Sequence, residues 1–313
     1  MPESAPVTAR GPADLLATIP YLLGYHPRDC VVAVFVTKDG RVKCAFSTNR
    51  QTSVLLIVEK SIATAISADA TTAFIIGYGP MNDRDLLSQI AERLHTAVPV
   101  QACLLVNGNR YYCLNQGCPC TPADGAVLDI SASVIAAEMT LQGLVALPSR
   151  EDVEALAAAD PEAQARTAKL IAGLPNLLPD PVSVVRSSMT SAEAGTPLSD
   201  EQAARLAVAL TTTHGRTAAW EATTGTAWQG QLWLDLTRRV PEQYAATPAN
   251  LLAWTSWRRG EPALARTALD KAAAAMPDNT LSNLIGVLLD SPINPATLPW
   301  PLPEDFDPQR LIP

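Results

Sequence analysis

Charge is scarce in this chain. Asp, Glu, Lys and Arg make up 17% of its 313 residues, against roughly 25% in ordinary globular domains. Histidine occurs three times, and aromatic residues supply 5%. There is no Lys/Arg block and the formal net charge is −8. A phosphate backbone is therefore repelled on average, and nucleic acid is not an expected partner. No apolar run approaches the roughly 20 residues that span a bilayer. The opening MPESAPVTARGP has no basic stretch followed by an apolar core, as a secretory signal would. Together these absences predict a cytoplasmic protein without membrane association. The chain also lacks a G-x-G-x-x-G or P-loop pattern, a serine elbow, a His-Glu pair and an obvious carboxylate pair, so no catalytic constellation declares itself.

What is present is an apolar share of 48%, on a length sufficient for two domains and a sizeable core. The stretch GPADLLATIPYLLGYHPRDCVVAVFV, residues 11–36, sets the pattern. Pro12 suits a first helical turn, and Leu15, Leu16 and Ile19 share one helical face. Pro20 and Gly24 are expected to break the run. Pro27 then drives His26 out of helical geometry into a polar corner. Val31 to Val36 is unbroken and largely β-branched, the signature of a strand covered on both faces.

Alternation of the two element types continues. Asp39-Gly40 is a hairpin signal, returning the chain through Val42, Cys44 and Phe46. Residues 53–67 read as a helix with Leu55, Val58, Ile62 and Ile66 on its buried stripe, followed by a strand at 72–78. Asn82 is the expected cap of the next helix, whose stripe is Leu86, Leu87, Ile90 and Leu94. A strand at 100–106 turns at Asn107-Gly108 into Arg110–Cys113. Residues 130–146 read as a helix with Val134, Ala137, Leu141 and Leu144 inward. This predicts an α/β domain over 1–147, a mixed sheet flanked by helices.

From 148 to 313 the strand signals disappear, which predicts an all-α domain. Asp160-Pro161 and Ser199-Asp-Glu-Gln202 are helix starts, the second a capping box. GLPNLLPDPV at 173–182 is the clearest linker. Thr247-Pro248 is expected to cap a helix carrying Leu252 and Ala253. Gly260 turns the chain into a partner with Ala265, Leu269 and Ala272, before Pro277. That hairpin, 247–277, is tetratricopeptide-like, and 280–290 reads as a further helix over it. All six tryptophans fall in this half, five of them (220, 228, 233, 254 and 257) between residues 220 and 257. They are expected mostly in the core; an exposed one would mark a binding surface.

GPADLLATIPYLLGYHPRD, IIGYGP at 75–80, GNRYYCLNQGCPC at 108–120, LPSREDVEAL at 147–156 and LLAWTSWRRGEPALARTALDKA at 251–272 occur in this order along the chain. By these segments it resembles the actinobacterial and actinophage family of domain of unknown function 4192. The resemblance implies no established activity and transfers no catalytic residue. Two features depart from the family pattern: Pro119 separates Cys118 from Cys120, where adjacent cysteines followed by proline are usual. The Arg-rich strand end followed by aspartate is missing after Cys44, where the chain reads AFSTNRQTS.

Two places hold candidate chemistry. The loop Cys113-Leu-Asn-Gln-Gly-Cys118-Pro-Cys120 supports three readings. It is a zinc site completed by Cys103, His95 or Asp124, a disulfide from Cys113 to either later cysteine, or a reduced structural loop shaped by Gly117 and Pro119. A direct Cys118–Cys120 bridge is disfavoured by geometry, and zinc is the only cofactor in view. Cys30, Cys44 and Cys103 read as buried structural thiols. The second place is the sheet edge, where Gly77-Tyr-Gly-Pro80 follows a strand and precedes a helix. There His26, Tyr78 and Arg84 are the candidate ligand-binding residues. His214-Gly215-Arg216 reads as a connector.

Two functional readings follow. In the first, the protein is a non-catalytic scaffold docking a protein partner through its helical domain. In the second it is a small-molecule sensor or enzyme with a site at the sheet edge, lidded by the cysteine loop. Convergence of His26, Tyr78 and Arg84 on one cleft discriminates between them.

Overall fold

Strand β1 (Cys30–Val36) is buried over six of its seven residues, because it pairs on both sides. Its neighbours are β2 (Val42–Asn49) and β3 (Thr72–Tyr78), both antiparallel to it. The computed structural model describes residues 11–302 except positions 41, 142, 176, 177, 292, 294, 296 and 297. The chain divides after Arg150 into two compact units. In the first, the sheet continues through β4 (Val100–Asn107), β5 (Arg110–Cys113) and β6 (Ala126–Val127), in the order β2-β1-β3-β4-β5-β6. It is mixed: β3 and β4 are parallel and every other neighbouring pair is antiparallel.

Helix α1 (Pro12–Leu23) has proline at its start and ends on Gly24 in the left-handed region, φ 80°. The expected break at Pro20 does not occur. Its missing N–H removes one helical hydrogen bond, but Leu15, Leu16, Ile19 and Leu23 are buried on both sides of it, and that packing carries the helix through. Gly40 turns the β1–β2 hairpin at φ +79°. Helix α2 (Val54–Ser67) is capped by Ser53, whose side chain accepts from Leu56 N. Its buried face is Ile57, Val58, Ser61 and Ala65, while Leu55 and Ile66 are exposed. VLLIVEKSIATAIS is apolar on more than one side, so periodicity did not single out the face. Ser61 tolerates the core by donating to Ile57 O at 2.7 Å.

Between β3 and β4 lie a 3₁₀ turn (Met81–Asp83) and α3 (Arg84–His95). Asn82 is not the cap. Asp83 occupies that position without a side-chain cap bond, because its carboxylate pairs with Arg50. Leu87, Ile90 and Leu94 are fully buried. Asn107-Gly108 turns β4 into β5, with Gly108 at φ +60°. Helix α4 (Val134–Leu141) is shorter than the predicted 130–146 and faces the other way. Ile135, Ala136 and Met139 are buried against α1, whereas Val134 and Leu141 are 72% and 88% exposed. Position 142 of that prediction lies outside the described residues.

The second unit consists of helices among its described residues: α5 (Arg150–Leu156, its first residue in the first unit), α6 (Pro161–Ala172), α7 (Pro181–Glu193), α8 (Asp200–Ala209), α9 (Thr213–Ala222), α10 (Ala227–Arg239), α11 (Ala246–Arg258), α12 (Pro262–Ala275) and α13 (Thr280–Asp290). Asp160 caps α6, and Ser199 with Gln202 closes the capping box of α8. The segment 173–182 lies inside this unit between α6 and α7, with positions 176 and 177 outside the described residues. Thr247 and Pro248 do not cap α11 but sit within its first turn, where the missing proline N–H costs nothing. Gly260, at φ +76°, leads into α12, whose Ala265, Ala268, Leu269 and Ala272 are buried.

The tryptophans are interior or half-buried, and none is exposed. Trp254 is fully buried, with the rings of Trp220, Trp257 and Trp300 at 4.9, 5.4 and 4.4 Å from its own. Thr223 serves two of them, accepting from Trp233 Nε1 on its hydroxyl and from Trp254 Nε1 on its carbonyl, at 3.2 and 2.9 Å. No helix of the described residues is long and apolar enough to cross a membrane.

Candidate functional site

Because β1 runs antiparallel to β3, its first residues stand beside the last residues of β3, at the end of the sheet where β4 also ends. A cleft of about 1370 Å³ opens there in the first unit. It lies at the carboxyl ends of the one parallel pair, where α/β sheets present ligand crevices. Its lining includes the corner His26–Asp29, the loop Tyr78–Pro80, Asn107, Asp129, and Ala136, Ala137, Thr140 and Leu141 of α4.

The corner is held by backbone hydrogen bonds. His26 N donates to Leu147 O and Leu147 N to Gly24 O, each at 2.9 Å. Asp29 takes a left-handed φ of 47°, a conformation uncommon for a residue with a side chain. The His26 imidazole has a pKa below the usual histidine value, first because burial disfavours its charged form and then because Arg28 adds a like charge. It is therefore a neutral donor–acceptor at physiological pH.

Tyr78 pairs with Cys30 across β3 and β1 and lines the cleft. Its hydroxyl is buried and has no hydrogen-bond partner among the described residues. Burial, and secondarily the Cys30 thiol, raise its pKa above the ordinary phenol value. It is a neutral donor whose unmet hydrogen bond costs on the order of 1–3 kcal/mol.

Arg50, at the end of the β1–β2 hairpin, also lines the cleft. Its Nη1 donates to Asp83 Oδ1 at 3.1 Å, and its Nε stands 3.5 Å from Asp29 Oδ1. Asn107 Nδ2 donates to Gly79 O at 3.0 Å, tying the end of β4 to the loop after β3. The two glycines of Gly77-Tyr-Gly-Pro80 are explained by the protein's own packing. A Cβ on Gly77 would lie 2.4 Å from Leu87 Cδ1, and one on Gly79 would lie 2.5 Å from Asp83 Oδ2.

Of the three residues expected at the sheet edge, the cleft brings together His26 and Tyr78. Arg84 is not in its lining; its guanidinium carbon stands 5.2 Å from the Tyr112 ring centre. Arg50, Asp29 and Asn107 carried no sequence signal of comparable strength. Arg50 is one basic residue in an irregular stretch, and its partner Asp83 lies 33 positions away.

The cysteine loop follows β5. Cys113, Cys118 and Cys120 have their sulfurs within 4.8 Å of one another, and all six cysteines are free thiols. Asn115 organises the loop: its Oδ1 accepts from Cys103 N and its Nδ2 donates to Gln101 O, both at 2.8 Å. Cys113 N donates to Thr121 Oγ1 at 3.0 Å, and Cys118 N donates to Asn115 O at 3.2 Å. Hydrogen bonds from Cys120 first, then from Cys113, lower the pKa of Cys118, while the bond to Cys118 pushes Cys120 up to about 12. Residues considered as a fourth zinc ligand are engaged elsewhere. His95 Nδ1 accepts from Val100 N at 3.0 Å, Cys103 Sγ contacts Leu87 O at 3.6 Å, and Asp124 Oδ2 pairs with Arg110 Nη1 at 3.1 Å. Cys30 and Cys103 are buried, and burial pushes each thiol up to about 12.

Residues 12–296 match the protein-family model described as Domain of unknown function (DUF4192). No curated protein and no solved structure matches the chain.

Proposed function

From the premise that this chain belongs to the family of domain of unknown function 4192, we propose that its first unit binds a small molecule in the cleft at the carboxyl ends of β3 and β4. The ligand class is an organic molecule with an apolar body and an acceptor group such as a carbonyl or hydroxyl. The observation that carries this reading is Tyr78, a buried hydroxyl without a partner in the lining of a cleft of about 1370 Å³. A ligand acceptor would satisfy that donor, and the neutral His26 would add a second directional contact. Arg50 is already paired with Asp83 and Asp29, so it shapes the cleft rather than supplying an uncompensated charge. The groups favour recognition, as in a sensor.

The test is retention of a small molecule. Full-length protein is incubated with a metabolite extract, separated from free compounds, denatured and analysed by mass spectrometry. Wild type is expected to retain a compound that Tyr78→Phe binds about tenfold more weakly, the worth of one buried hydrogen bond. Ala137→Trp, which fills the cleft mouth, should abolish retention. A wild-type protein that retains nothing, or a compound held equally by all three proteins, counts against the reading.

A second reading concerns the helical unit. The antiparallel α11–α12 hairpin, with Ala249 and Ala253 on one helix and Ala265, Ala268 and Ala272 on the other all buried, supports a tetratricopeptide-like module. On this reading it docks a protein partner in the cytoplasm, and deleting residues 247–290 removes partner capture while the first unit stays folded.

A further inference from the structure

We propose that Cys113, Cys118 and Cys120 form a zinc site with three protein thiolates and one exchangeable position, independent of the cleft. Zinc–sulfur bonds of about 2.3 Å in a tetrahedron put the sulfurs about 3.8 Å apart. The three sulfurs already lie within 4.8 Å of one another, so closing on an ion takes side-chain adjustment and no rearrangement of the loop. The ligand set is all sulfur, which selects a soft or borderline ion over magnesium or calcium.

The convergence does not depend on a covalent staple. Asn115 anchors the start of the loop to the backbone of Gln101 and Cys103. Thr121 holds the Cys113 amide after the last cysteine. Arg110 Nη1 closes the far side by donating to Asp124 O at 3.1 Å and Gly125 O at 2.7 Å. A disulfide would use two of the three sulfurs and leave the third in place without a partner, whereas a metal uses all three. Adjacent bridging of Cys118 and Cys120 is further disfavoured by the short two-residue span.

The fourth position is argued from what surrounds the sulfurs. Cys103, His95 and Asp124 are each committed to another bond, and Cys120 is exposed. Water or an external thiol therefore completes the tetrahedron, as in zinc sites that keep an open coordination position.

The experiment uses the full chain, reduced and freed of metal, then titrated with zinc and separately with cobalt. One metal per chain is expected, with the thiolate-to-cobalt charge-transfer absorption that sulfur ligation produces. Cys120→Ser, a change at an exposed side chain, should weaken binding at least tenfold, while Cys44→Ser should leave it unchanged. Alkylation mapping of the wild type needs no variant to fold: zinc should protect Cys113, Cys118 and Cys120 together. Reduced protein that takes up no zinc overturns the proposal. So does zinc binding that survives Cys120→Ser unchanged, or zinc that leaves the three thiols as reactive as before.

Discussion

Arg50 and Asp83 meet at 3.1 Å between Nη1 and Oδ1, joining the turn after β2 to the start of α3 along the edge where the cleft opens. Asp83 is buried, and its carboxylate crowds Gly79 so closely that a Cβ there would lie 2.5 Å away. One ion pair thus fixes two loops and accounts for one glycine.

Gly79→Ala should push Asp83 off Arg50 and destabilise the first unit by about 1–3 kcal/mol, the cost of disturbing a buried charged hydrogen bond. In an Asp83→Ala background the same change should cost much less. Urea unfolding of the two single variants and the double variant measures the coupling; additive effects would show that the carboxylate is not what excludes a side chain at 79.

Tyr78→Phe should leave the unliganded protein as stable as wild type or more stable, by up to about 1 kcal/mol, because it removes a buried hydroxyl with no partner. A loss of more than about 1 kcal/mol in chemical denaturation would mean that the hydroxyl makes a hydrogen bond in solution.

His26 gives the first unit a pH dependence of known sign. Folding lowers its pKa below the ordinary value of 6.5, by burial first and Arg28 second, so the unfolded chain binds the proton more tightly. The contribution is fully present above pH 6.5 and is lost as pH falls through the lower folded pKa. His26→Gln should flatten that part of the stability profile between about pH 7.5 and 5. An unchanged slope would assign the dependence to other groups.

In the metal-free, reduced protein, iodoacetamide should label Cys118 first and Cys30 and Cys103 last. The Cys118 pKa is lowered by its cysteine neighbours, whereas Cys30 and Cys103 are buried and pushed up to about 12, and the thiolate is the reactive form. Time-resolved peptide mapping reads the order, and early labelling of Cys103 would contradict its burial.

Thr223→Val removes the acceptor of Trp233 Nε1 in a fully buried setting. Stability of the helical unit should fall by about 1–3 kcal/mol, followed by tryptophan fluorescence. Thr223→Ser, which keeps the hydroxyl, should recover most of it.

The sequence by itself determined the succession of elements, because the signals for them are local. Asp39-Gly40 and Asn107-Gly108 turn their hairpins, Asp160 caps α6, and the Ser199–Gln202 capping box starts α8. It also marked His26, Tyr78 and the three clustered cysteines, each an unusual residue beside a turn. Only the tertiary structure decided which faces of α2 and α4 are buried, since both are apolar on several sides and packing against the sheet or α1 makes the choice. It also carried α1 through Pro20, where the neighbouring buried leucines and isoleucine outweigh a missing hydrogen bond. The cleft belongs to the same category. Its Arg50–Asp83 pair joins residues 33 positions apart, and no local pattern encodes a contact made when separate loops arrive at one edge of a sheet.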